Sequence, residues 1–209
     1  MRIEQYVGLY PTWPPRGRHL LAQFDLSSIY VYQAFQPSIA LHAVRHQRFG
    51  GDFSYQRMSW IKPNFLWMMY RSGWASKAGQ ERILAVQLPR SFFDELLRVA
   101  VVSSFDPSRY STREEWQQAV AASDVRLQWD PDHDPAGRPL ERRAVQLGLR
   151  GNILQRYGTT ELMSVADITD FVTEQRNNLD DDFKHLLVPH EQVYCPEATA
   201  AKSVGIDRI

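Results

Sequence analysis

Two β-rich runs open the regular part of the chain. His19-Leu20-Leu21-Ala22-Gln23-Phe24 and Ser28-Ile29-Tyr30-Val31-Tyr32-Gln33-Ala34-Phe35 are separated by Asp25-Leu26-Ser27, which predicts a hairpin. In the second run Tyr30, Tyr32 and Ala34 share one face, and Ile29, Val31, Gln33 and Phe35 share the other. Gln33 is therefore a polar side chain on an apolar face. Pro37 opens a helix through His46, closed by Phe49-Gly50-Gly51. Residues 53–74 form the densest hydrophobic stretch, and Pro63 forbids a single helix through it. The pattern predicts a strand, a turn, and a helix from Phe65 to Arg71 capped by Asn64 and ended at Gly73.

Further on, Arg82 to Leu88 reads as a strand and Ser91 to Val102 as a helix, with Phe92, Leu96, Val99 and Ala100 on one side. Ser111-Thr112-Arg113-Glu114 resembles a capping box for a helix to about Ala122. Val125 to Trp129 and Arg143 to Leu149 alternate as strands. Between them, Asp130-Pro131-Asp132-His133-Asp134-Pro135-Ala136-Gly137 has the composition of a loop. A short helix from Asn152 to Tyr157 and a last unit from Leu162 to Leu179, with Asp167 as a cap, complete the pattern. The expectation is one α+β domain with short strands in two packed sheets and flanking helices. Its bounds are 20–188, preceded by an irregular arm over 1–19 and followed by a tail over 189–209.

Composition narrows the classes. With 209 residues and 44% hydrophobic content the chain can bury a core. No apolar run approaches the ~20 residues that a bilayer span requires. The single cysteine, Cys195, and an amino terminus without a basic-then-apolar pattern lead to a cytoplasmic expectation. The 24 basic and 24 acidic residues cancel, which argues against broad electrostatic affinity for nucleic acid. The cancellation is uneven, since residues 1–104 hold 12 basic and 6 acidic side chains and residues 105–209 hold 12 and 18. All but four of the cations are Arg, a planar group suited to phosphate or carboxylate.

Several chemistries are poorly matched. The Asp130 loop lacks the Gly of a calcium-binding loop, where Pro135 stands, and His42 and His46 lack the partners of a zinc site, so no metal is expected. No phosphate-loop, dinucleotide-fold or nucleophile-elbow motif occurs. What remains is the segment 53–74, where Tyr55, Trp60, Trp67, Tyr70 and Trp74 interleave with Arg57, Lys62 and Arg71. Aromatic faces stack on bases and cations neutralise phosphates, so this combination suits a nucleotide. The competing reading makes the aromatics core and lets the cations reach outward.

The motifs Val31-Tyr32-Gln33-Ala34-Phe35, Arg48-Phe49-Gly50-Gly51, Arg57 to Trp74, Gln80-Glu81-Arg82-Ile83-Leu84-Ala85, Ser104-Phe105-Asp106-Pro107, Val125 to Pro131 and Gln146-Leu147-Gly148-Leu149-Arg150-Gly151 resemble the family of domain of unknown function 4291. The likeness runs from about residue 18 to 175. That family is similar in turn to the ADP-ribosyltransferases, which hold NAD in a cleft between two packed sheets. The resemblance implies catalytic positions at Gln33 and Gln146, with Asp130 or His133 at the acceptor. Tyr32, Arg57, Trp60, Lys62, Tyr70 and Arg71 would hold NAD, and RNA, DNA or a terminal phosphate would be the acceptor. A noncatalytic nucleotide- or RNA-binding module and a protein-interaction domain are the alternatives.

Overall fold

The computed structural model describes residues 1–207. Its first elements occupy the stretch where Pro and Gly punctuation predicts an irregular arm. Strand β1 (Ile3–Gln5), helix α1 (Tyr6–Leu9) and a 3₁₀ turn (Tyr10–Thr12) lead to β2 (Gly17–Arg18). Tyr6, Leu9 and Trp13 are buried, so this segment is part of the core and not an appendage. The physical reason is non-local: β1 pairs with residues 187–189, and Trp13 donates through Nε1 to the Glu191 carbonyl at 2.8 Å. The expected carboxy-terminal tail is likewise folded, as the burial of Glu191 and Tyr194 shows.

The predicted hairpin is present as β3 (Leu21–Ala22) and the eight-residue β4 (Ser28–Phe35), bridged at Phe24 and Ile29. Asp25 fixes its turn by accepting from the Ser27 and Ser28 amides. Helix α2 (Pro37–His46), strand β5 (Ser59–Ile61) and helix α3 (Phe65–Ser72) follow. Asn64 caps α3 by accepting from the Trp67 amide at 2.7 Å, and Gly73 ends it at φ 58°. Strand β6 (Arg82–Pro89) pairs antiparallel with β4 along its whole length.

Helix α4 (Arg90–Val99) stops earlier than its hydrophobic pattern suggests, because β-branched Val101 and Val102 form β7 (Val101–Val102) against the strand that follows α5 (Arg113–Ala122). Thr112, not Ser111, caps α5, accepting from the Glu115 amide at 3.1 Å. Strands β8 (Val125–His133) and β9 (Pro139–Leu149) make the longest hairpin. The predicted loop from Asp130 shrinks to a turn over residues 134–138, and Asp132 and His133 are strand residues. Helices α6 (Gly151–Gly158) and α7 (Thr169–Asn177) flank β10 (Ser164–Asp167), and the chain ends through β11 (Leu187–Pro189), β12 (Gln192–Val193) and α8 (Ala198–Val204).

The result is one α+β domain. A three-stranded sheet in the order β10-β6-β4 faces a five-stranded sheet in which β9 is flanked by β8 and then β7 on one side and by both β2 and β5 on the other. One core joins Ile29, Val31, Val86 and Leu88 of the first sheet to Leu127, Val145 and Leu147 of the second, with Phe92, Phe93 and Leu96 of α4. A second core lies on the far side of the three-stranded sheet, where Tyr32, Ile83 and Ala85 meet Phe65 and Met69 of α3 and Val172 of α7. Among the described residues, no helix is long and apolar enough to cross a membrane.

The ends of the chain are tied in by an ionic group in this interior. Arg142 donates through Nε to Asp132 at 2.8 Å and through Nη1 to the Pro14 carbonyl at 2.7 Å, while Nη2 lies 2.7 Å from the same Asp132 oxygen, off the hydrogen-bond angle. Both side chains are at most 2% exposed. Glu191 accepts the Phe65 amide at 2.6 Å, and burial pushes the pKa of Glu191 well above its ordinary value and that of Asp132 upward. Removing Arg142 leaves buried carboxyls without their cation. Arg142→Met is predicted to lose about 3–5 kcal/mol in urea unfolding, against under about 1 kcal/mol for Arg138→Met at the exposed Arg138–Asp134 pair. Equal losses would contradict this view of the buried group.

Candidate functional site

Strand β5 pairs with β9, and at its end Lys62 crosses to the other sheet. The Tyr32 amide donates to the Lys62 carbonyl at 2.6 Å, and the Lys62 amide donates back to the Tyr32 carbonyl at 3.1 Å. Pro63 then lets the chain turn into α3. Next to this bridge a cleft of about 460 Å³ opens, bounded by the end of β4, residues 52–60, the Met68 and Arg71 face of α3, and Gly79-Gln80. Gln33, Arg57, Trp60, Lys62 and Arg71, all singled out from the sequence, line it together.

Lys62 is 5% exposed, yet its ammonium makes no hydrogen bond or ion pair among the described residues. Burial pushes it down to about 8, Arg71 adds to the shift, and Asp130 opposes it. Arg57 and Arg71, both exposed, are also without an ion-pair partner among the described residues. The lining thus carries three cations against one carboxylate, Asp52, which sequence reasoning missed. Such a site presents unneutralised donors to an anion.

Trp60 is half-buried and held from behind. A side-chain carbon at Gly148 of β9 would come within 3.0 Å of the Trp60 ring and 2.6 Å of Met58 Sδ, so the indole rests on bare backbone. A glycine inside a strand is the sequence signal for such a close approach. Gln33 is locked: it donates to Ser59 Oγ at 2.8 Å and to the Trp60 carbonyl at 3.1 Å, and accepts from the Tyr157 hydroxyl at 2.6 Å. Its two amide hydrogens are spent on holding the cleft wall, and a neutral amide takes no proton.

The other expected positions fall elsewhere. Asp130 accepts from Gln128 and Gln146, each at 2.8 Å, forming a fixed carboxylate on the five-stranded sheet that acts on Lys62 through its charge without lining the cleft. Tyr32 is fully buried in the second core, edge-on to Phe65. Tyr70 and His133 stack on one another with ring centres 3.5 Å apart, and Trp67 lies parallel to both. Burial lowers the basicity of His133, and the stack places both rings outside the cleft lining. Tyr32, Tyr70 and His133 thus stand outside the cleft lining, and Gln146 donates to Asp130. Among the described residues no group of three or more His, Cys, Asp or Glu side chains is arranged to hold a metal ion.

Fold and site together define a single α+β domain with a cationic, tryptophan-walled cleft at the junction of its sheets. The chain belongs to the family described as Domain of unknown function (DUF4291), whose model matches residues 19–194. No curated protein matches the chain significantly.

The contact between Gly148 and Trp60 is open to direct test. Gly148→Ala is predicted to cost about 1–3 kcal/mol through overpacking against Met58 and Trp60. Most of that loss should vanish when the substitution is made in a Met58→Ala, Trp60→Ala background. A loss that is unchanged in that background would show that the cost arises elsewhere.

Proposed function

We propose that the protein binds NAD or another phosphorylated nucleotide in this cleft and acts as an ADP-ribosyltransferase-like enzyme on a phosphate-bearing acceptor such as RNA or DNA. Lys62 carries the reading: a cation buried without a partner costs stability unless an anion completes it. A nucleotide pyrophosphate supplies that anion. Lys62 meets it from the floor and Arg57 and Arg71 from the rim, while the Trp60 face stacks on an aromatic ring.

Transfer from NAD breaks the bond between ribose and nicotinamide and forms one to the acceptor oxygen, with positive charge building on the ribose. Nicotinamide leaves neutral, taking the bond electrons to its ring nitrogen. Gln33 cannot serve as a base, and Asp52 is the only carboxylate among the described residues that line the cleft. An acceptor that arrives as an anion, such as a terminal phosphate, requires no deprotonation and matches this donor set.

A second reading, noncatalytic nucleotide binding, is favoured by one observation. Gln33, Asp130 and Gln146 are all committed to internal hydrogen bonds, and of the three only Gln33 reaches the cleft. Incubation with NAD labelled in the adenylate half and with RNA, DNA and protein acceptors separates the two. Transferred label and nicotinamide release support the enzyme, whereas binding without either supports the second reading.

Calorimetric titration with ADP or NAD at pH 7 is predicted to show binding that weakens ~10–100-fold in Lys62→Ala, the loss of one charge-assisted contact. The ammonium is the binding form, so affinity should fall as pH rises through about 8. Lys62→Arg should remove that fall, because guanidinium keeps its proton. Affinity independent of Lys62 and of pH would contradict the assignment.

A further inference from the structure

Lys62 differs from the other three lysines of the chain. Lys77 donates to the Tyr70 and Arg71 carbonyls, Lys184 pairs with Asp182, and Lys202 is exposed on α8. Only Lys62 is buried with a free amine facing a cleft among the described residues. Its backbone is held on both sides by Tyr32, so the amine is presented from a fixed base. Arg71 faces it from α3, Arg57 and Asp52 from residues 52–57, and Asp130 acts from β8. Burial and Arg71 together outweigh Asp130, and with the amine near 8 about one molecule in ten holds it neutral at pH 7. A neutral primary amine in a cleft beside guanidinium groups is a nucleophile for carbonyl carbon.

We propose that Lys62 is a nucleophilic amine that forms a reversible imine with a phosphorylated aldehyde, whose phosphate is held by Arg57 and Arg71. The nitrogen lone pair attacks the carbonyl carbon, and the carbonyl π electrons move to oxygen. Both amine hydrogens pass to that oxygen, which leaves as water as the carbon–nitrogen double bond forms. No oxidant or reductant takes part. The proposal goes beyond nucleotide binding and does not depend on it, since the aldehyde needs only the amine and an anion site.

Pyridoxal 5′-phosphate serves as the probe on the full chain, with borohydride reduction to fix the imine and peptide mass spectrometry to locate it. Lys62 is expected to be labelled at least ~10-fold faster than Lys77, Lys184 or Lys202 near neutral pH, with a rate that rises as pH passes through about 8. Lys62→Arg should abolish the fast phase while keeping the far-ultraviolet circular dichroism of the folded chain. Arg57→Ala should slow labelling by the phosphorylated probe but leave labelling by pyridoxal, which lacks the phosphate, unchanged. Label spread over the exposed lysines with Lys62 last, or a fast phase that survives Lys62→Arg, would overturn the proposal. Equal slowing of both probes by Arg57→Ala would overturn the assigned phosphate site.

Discussion

The bridge between Tyr32 and Lys62 is the constraint on which the cleft depends. Two backbone hydrogen bonds join β4 of one sheet to the end of β5, a strand of the other. Gln33, one residue along, adds side-chain bonds to Ser59 and to the Trp60 carbonyl, and Tyr157 from α6 fixes the Gln33 oxygen. Each bond contributes on the order of 1 kcal/mol, but their shared effect is geometric. They fix where the sheets meet, and the opening beside that seam is the cleft. Lys62 thus gets its position from its backbone and keeps its side chain free.

Charge placement follows the same division. Several acidic residues of the second half are spent on internal pairs, such as Asp132 with Arg142 and Glu161 with Arg156. Arg45, Arg48, Arg57, Lys62 and Arg71 form no ion pair among the described residues. A chain of zero net charge thus brings three uncommitted cations, Arg57, Lys62 and Arg71, to one cleft. A local anion site on a neutral protein binds without the long-range attraction of a basic surface.

Much of this was legible in the sequence, and the parts that were not have separate causes. Asn64 and Gly73 announced both ends of α3, and the alternation in 28–35 placed Gln33 on its face. The strand period also separates Tyr32 from Gln33, since neighbours point to opposite faces. On α3, Met68 and Arg71 share one side, and Tyr70 lies about 100° or more around the helix from both. Those two periods turn Tyr32 and Tyr70 away from the residues that line the cleft. The folded ends and the strand character of Asp132 were less accessible. The ends depend on contacts between residues more than a hundred positions apart, such as Trp13 with Glu191 and Arg142 with Pro14, whereas the strand at Asp132 rests on pairing across the β8–β9 hairpin. Local composition near Pro11, Pro14 and Gly17 carries no trace of them.

The free amine of Lys62 is the central claim, and it can be measured directly. Nuclear magnetic resonance titration of the lysine side chains, assigned through Lys62→Arg, reads each amine separately. The account predicts that Lys62 titrates near 8, apart from the other lysines, and moves upward when ADP is added. Titration of Lys62 together with the exposed lysines, near the ordinary value of about 10.4 and unmoved by ADP, would contradict it.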